Sequence, residues 1–196
     1  MTGPDLRSVP GPAGIGYDLR QGGQMIETEN LKLIPCGPSH LATVLEDKKG
    51  LEPLLGVSVP EGWPVFPGAV PRIYEKLRSD PSAVGWWSYL FVHTEDRTLA
   101  GDGGFKGRPN ALGEVEIGYA LVPEYRNRGL ATEAAGGLVR WAFSHPEVAA
   151  VKAETLPDGH ASIRVLEKLG MRFAGATDRV LRWRVERQDF EKGGPR

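Results

Sequence analysis

Residues 119–135 read YALVPEYRNRGLATEAA, a strand that runs into a helix through two arginines and a glycine. An ordinary helix start is capped by Ser, Thr, Asp or Asn and carries acids in its first turn, because the free N–H groups there bear partial positive charge. Arg126 and Arg128 make this end more positive still. Such a start makes sense when the negative charge arrives with a ligand, most simply a phosphate seated on the free N–H groups. The plainer alternative is that both arginines are surface charges.

Upstream, a strand predicted over 114–122 puts Val115, Ile117, Tyr119 and Leu121 on one face, a candidate core face, and Glu114, Glu116, Gly118, Ala120 and Val122 on the other. The middle of that second face has almost no side chain. Either a ligand lies along it with a carboxylate at one end, or a helix packs closely there above solvated glutamates. Downstream, Leu130, Ala134, Gly137, Leu138, Trp141 and Ala142 fall at helical spacing in a helix reaching Ser144 and ended by Pro146. A strand over 149–155 leads into PDGHASIRVLEKLG (157–170), an amphipathic helix closed by Gly170, on which Ser162, Val165, Leu166 and Leu169 share a face. Strands over 171–176 and 180–187 complete the series.

Toward the N-terminus, residues 1–24 are dense in Gly and Pro and read as a flexible extension. The domain opens with Met25 and ETENLKLIPC (27–36), where Leu31, Leu33 and Ile34 form a short strand stopped by Pro35. A helix over 39–47, capped by Ser39, carries Leu41, Val44 and Leu45 on one face. GVSVPEGWPVFPGAVP (56–71) holds too many prolines for a regular element and reads either as a lid on the core edge or as the wall of a substrate pocket. A helix over 72–78 and a hairpin of 86–94 with 98–107 follow. Gly101, Gly103, Gly104 and Gly107 match neither dinucleotide nor P-loop spacing and mark a bulge or a close backbone approach.

The length of 196 residues suits one domain, expected over 25–190 with a tail at 191–196. With 24 Lys+Arg against 25 Asp+Glu, composition gives no basic face for nucleic acid. Cys36 is the single cysteine, which excludes an intrachain disulfide, and His40, His93 and His145 are scattered, so no metal site is expected. No apolar run approaches the roughly 18 to 20 residues that span a bilayer, and the start lacks the pattern of a signal peptide. The expectation is a soluble cytoplasmic protein with no membrane partner.

Residues 114–175, with EIGY (116–119), ATEA (131–134) and ASIRVLEKLG (161–170) at matching spacing, resemble the acetyl-CoA-binding core of the GNAT N-acetyltransferases. Within that family they are most similar to the ribosomal-protein N-terminal acetyltransferases. The [QR]-x-x-G-x-[GA] motif is matched by Arg126, Gly129 and Ala131. The resemblance implies a single-domain α/β fold, a mixed and mostly antiparallel sheet of six or seven strands flanked by helices. It implies acetyl-CoA as acyl donor, held by Leu121 and Val122 on the strand and by Arg126, Asn127, Arg128, Gly129, Leu130, Ala131 and Thr132 in the turn. The N–H groups from Arg128 to Thr132 would hold the pyrophosphate, and a backbone N–H near Leu121 or Val122 would polarise the thioester.

As the resemblance has it, Glu116 is the expected base for the acceptor amine, with Glu114 next in line, and Ser162 matches the serine that protonates the leaving thiolate in the ribosomal-protein branch. The same hydroxyl could simply cap or pack. Two departures stand out: the tyrosine many members place in this helix is Leu166, and the asparagine usual after PD is Gly159, followed by His160. The implied function is acetyl transfer to a primary amine, on a peptide N-terminus or a small molecule; a CoA-binding regulator without catalysis is the alternative. A homodimer is left open. Trp63, Phe66, Trp86 and Trp87 favour a partly apolar acceptor.

Overall fold

The computed structural model describes residues 23–193, so the extension expected over 1–24 lies almost wholly outside the described residues. Strands β1 (Ile26–Glu27) and β2 (Leu31–Pro35) are followed by helices α1 (Pro38–Asp47), α2 (Leu51–Leu55) and α3 (Val70–Ser79). Then come β3 (Ser88–His93), β4 (Thr98–Phe105), β5 (Glu114–Leu121), helix α4 (Leu130–Phe143), β6 (Ala150–Thr155), α5 (His160–Lys168), β7 (Arg172–Ala176), β8 (Leu181–Glu186) and α6 (Arg187–Gly193). They form an eight-stranded sheet of order β1-β2-β3-β4-β5-β6-β8-β7. Every pairing is antiparallel except β5 with β6. A parallel pair needs a long crossover, and α4 supplies it.

The mixed sheet agrees with the sequence reading, with one strand more than expected. That strand, β1, has two residues and no periodic signal to read. Three boundaries are corrected. Helix α1 is capped by Gly37, whose N–H donates to His40 Nδ1 at 3.1 Å, so Ser39 lies inside the helix and caps nothing. Helix α2 was not foreseen. The chain also does not trail off at residue 190: in α6, Phe190 stacks on Phe143 at 5.3 Å. Beside it the Arg187 guanidinium donates to the carbonyls of Phe143, His145 and Val148, putting a cation on the C-terminal carbonyls of α4.

The core is built on one face of the sheet by Leu33, Phe91 and Ile117 under Leu138 and Val139 of α4, all fully or almost fully buried. Phe105 of β4 stacks on Trp141 of α4 at 5.2 Å. Alternation sends Asp102, three residues earlier, to the opposite face, which α3 and the loop before it cover. The glycine run in β4 is a close backbone approach: a Cβ on Gly101 would lie 2.1 Å from the Ala120 carbonyl oxygen, and one on Gly104 1.8 Å from that of Trp87. The same strand also carries a bulge, with Ala100 the extra residue opposite the step from Phe91 to Val92 of β3.

Candidate active site

Strand β5 belongs to two ladders that end at different places. Toward β4 it is paired through Leu121, opposite Gly101, while its parallel pairing to β6 stops at Ile117 opposite Ala153. The hydrogen bonds Lys106 N–H to Glu116 and Val122 N–H to Ala100 show that even-numbered residues of β5 bond toward β4. By alternation, the main-chain groups of Tyr119 and Leu121 turn into the gap between β5 and β6. Arg126 Nε reaches back to the Leu121 carbonyl at 2.9 Å, leaving the Leu121 N–H to the gap. Val122 cannot polarise a thioester as expected, because its N–H is spent on Ala100 at 3.0 Å.

The gap opens into a cleft of about 640 Å³. One wall is the turn between β5 and α4. Asn127 and Gly129 both have positive φ, 60° and 81°, so the chain alternates handedness and turns successive N–H groups the same way, the geometry of an anion nest. Among the described residues, the main-chain N–H groups of Asn127, Arg128, Gly129, Leu130 and Ala131 donate no hydrogen bond. A Cβ on Gly129 would meet no protein atom within 4 Å. The space it would fill belongs to the cleft. Arg126, Asn127, Gly129, Ala131 and Thr132 line it. The side chains of Leu130 and Val122 are buried in the core and offer only main chain. Arg128 also differs from expectation: its guanidinium lies over the Tyr125 ring at 5.2 Å and its side chain does not line the cleft.

The opposite wall is α5, which contributes Ala161, Ser162, Arg164, Val165 and Lys168. Ser162 is where the sequence reading placed it. Arg164 and Lys168 were missed; their signal was two cations one helical turn apart on the half of α5 away from buried Leu166 and Leu169. Gly159 gives α5 no side-chain cap, and His160 is exposed and lines no hollow. Val65 and Phe66, from the proline-rich segment, close the cleft, so that segment is a pocket wall. Tyr119, read as a core residue, packs partly buried against the core and also lines both this cleft and a second hollow of about 220 Å³. Its hydroxyl sits 3.5 Å from the Ser162 carbonyl oxygen, and burial pushes its pKa up, so it stays protonated.

The bare face of β5 has room over it: a Cβ on Gly118 would touch nothing within 4 Å, so α3, which lies above it, does not pack closely there. The two glutamates on this face have different surroundings. Glu114 accepts from Lys152 at 2.8 Å, from Arg184 and from Asn110 at 3.1 Å, and these partners hold its carboxyl down to about 2. A carboxylate held so firmly is a poor base, which removes Glu114 as a candidate. Glu116 pairs with Lys106, which also lies 3.8 Å from Glu154, and it lines neither hollow. Among the described residues no cluster of His, Cys, Asp or Glu has the makings of a metal site, and no helix is long and apolar enough to cross a membrane.

A family model described as Acetyltransferase (GNAT) domain matches residues 58–172. The chain is 32% identical over 149 residues to the uncharacterized N-acetyltransferase YjdG of Bacillus subtilis (strain 168), across 74% of this chain and 88% of that protein. Among solved structures it is similar to the ribosomal-protein-S5-alanine acetyltransferase of Vibrio fischeri, with a TM-score of 0.60 and 18% identity over 86% of this chain and 99% of that one. It is also similar to RimL, a ribosomal L7/L12 alpha-N-protein acetyltransferase in complex with coenzyme A, with a TM-score of 0.58 and 15% identity over 83% and 98% of the two chains. At these identities the two structures speak for the fold alone. The family match runs from the proline-rich wall through the turn between β5 and α4 and through α5, and on it the chain belongs to the GNAT acetyltransferases.

Proposed function

We propose that this chain moves an acetyl group from acetyl-CoA directly to a primary amine, on a small molecule or at a polypeptide N-terminus. The observation that carries the reading is the row of unbonded N–H groups from Asn127 to Ala131, set beside a strand edge left open for an extended ligand. Phosphate oxygens would seat on those N–H groups, with Arg126, Arg164 and Lys168 adding positive charge. The pantetheine arm would lie along β5 as an added strand, bonded at Tyr119 and Leu121. Bound acetyl-CoA supplies the activated acyl group. The Leu121 N–H would face the thioester oxygen as charge builds there.

Ser162, on the cleft wall, would pass a proton to the departing sulfur. Glu116 is the base the family resemblance suggests, but here an acceptor reaches it only by displacing Lys106 or through water. The ribosomal-protein activity of the Vibrio fischeri neighbour and of RimL favours a polypeptide N-terminus; the small second hollow suits a compact amine.

Release of free thiol from acetyl-CoA over a panel of peptides and small amines tests the reading, with a thermal shift on acetyl-CoA alongside. Turnover with at least one amine is expected. A thermal shift without turnover on any of them would make the chain a CoA-binding regulator, consistent with the changes at Gly159 and Leu166.

A further inference from the structure

One half-buried carboxylate has no part in the chemistry above. Asp102 stands on β4 directly opposite Ala120 of β5, in the hydrogen-bonded kind of pair, whose Cα atoms are about 5.5 Å apart. It therefore shares the open face with Gly118 and Ala120, and it lines the second hollow. That hollow and the large cleft have Phe66, Tyr119 and Ala120 in common, so they meet at Ala120. Asp102 Oδ1 is shut off from water without a hydrogen-bond partner, and so is Trp63 Nε1 nearby. A carboxylate served only by neutral N–H groups gains most from a bound cationic donor.

Two N–H groups of the proline-rich segment, the Trp63 indole and the Val65 main chain, face Asp102, and the other groups around the hollow supply no cation to it. Phe66, Ile73, Trp87 and Phe105 are apolar. Lys106, just after β4, is paired with Glu116 and Glu154, and Arg72 of α3 is exposed and forms no ion pair with Asp102. Tyr119 of β5 and Cys36 after β2 both have raised pKa values, the thiol at about 12 through burial, and stay neutral. Burial also pushes the Asp102 carboxyl up to about 6, with the Trp63 indole and the Val65 N–H tempering the rise. At neutral pH the group is still mostly ionised, and it is a stronger base than an ordinary aspartate.

We propose that Asp102 is the acceptor-side carboxylate, binding the ammonium of a primary amine carried on an apolar body and taking a proton from it before transfer. The assignment rests on the acetyltransferase reading and deepens it. The ammonium gives one proton to Asp102 and becomes a neutral amine. Its lone pair forms the bond to the acetyl carbon, and the C–S bond breaks with its electron pair going to sulfur. Sulfur takes a proton through Ser162, which regains one from the second N–H proton shed as the amide forms; Asp102 then releases its proton to water.

The test compares phenethylamine with its uncharged analogue phenylethanol, as ligands of the CoA-bound protein by calorimetry, with the amine also assayed as an acceptor across pH. Wild type should bind the amine at least about tenfold more tightly than the alcohol. In Asp102→Asn that preference should vanish and kcat/KM should fall roughly 100- to 10,000-fold. The acid limb near pH 6 should give way to a rise that tracks deprotonation of the amine itself. An unchanged thermal shift on acetyl-CoA shows that the variant is folded, and Glu116→Gln should keep the preference for the amine. Wild type that does not prefer the amine, an Asp102→Asn variant that binds and acetylates like wild type, or a preference lost in Glu116→Gln instead would each overturn the proposal. Asp102-dependent binding without turnover would uphold this site and sink the transferase reading.

Discussion

The two ends of β5 are treated in opposite ways. At Glu114 the strand is zipped to β6, opposite Ala150, and the carboxylate is surrounded by Lys152, Arg184 and Asn110. At Gly118 to Leu121 the ladder to β6 has ended, the face is bare, and the nearest carboxylate across the pair, Asp102, keeps an oxygen with no partner. One end saturates its polar groups within the fold. The other leaves donors and an acceptor open where a ligand can complete them, and this contrast separates the stabilising part of the strand from the working part.

The comparison is broken most severely at the phosphate turn. Acetyl-CoA at about 100 times Kd should stabilise wild type by roughly 2.7 kcal/mol, and Gly129→Val should abolish that gain in a thermal-shift titration, because its side chain takes the ligand's space. The variant's own fold should lose about 1–2 kcal/mol for holding a side chain at positive φ. A full acetyl-CoA shift in Gly129→Val would mean that the phosphates sit elsewhere. Next in size, Ser162→Ala should lower kcat toward the weaker end of the roughly 100- to 10,000-fold range for acid–base groups. Water can also protonate a thiolate, and the acetyl-CoA shift should be preserved.

The remaining two predictions oppose each other in sign. Glu114→Gln should lower Tm by roughly 3–6 °C at pH 7 while sparing kcat/KM. Its folded carboxyl is depressed to about 2, so its stabilisation is present above the unfolded value of about 4.3 and is lost as pH falls toward 2. The gap between variant and wild type should close over that window in a pH series of melts. Asp102→Asn should do the reverse and raise Tm by about 2–4 °C at pH 7. Its folded carboxyl is raised to about 6, so the folded state binds the proton more tightly and wild type loses stability as pH rises from about 3.9 to 6. The gain should be gone by pH 4. Equal effects of the same sign at both positions would erase the distinction between the two ends.

Local chemistry made the phosphate turn legible: Arg126, Gly129 and the helical spacing from Leu130 onward are neighbours in sequence, and so is the conformation they encode. The bare face of β5 followed from a period of two, and Ser162 from a period near four. Arg164 and Lys168 were readable in principle, since cations one turn apart define a helix face, but nothing local said that this face meets a cleft. The fates of the carboxylates were not legible. Glu114 and Glu116 are two residues apart on one face, yet their partners come from β6 and β8 for the first and from the loop after β4 for the second.

By itself, then, the sequence determined the family, the order of the elements from β3 onward, the glycine turn between β5 and α4 and the strand face left without side chains. Each is encoded in residues close along the chain. Only the tertiary structure decided which carboxylates are held by cations, that the Val122 N–H is committed to Ala100, that the proline-rich segment walls the cleft, and that Asp102 stands across from Ala120. Those outcomes depend on strand register and on what packs over each face. Both are set by contacts between distant segments, through burial and pairing that no local pattern records.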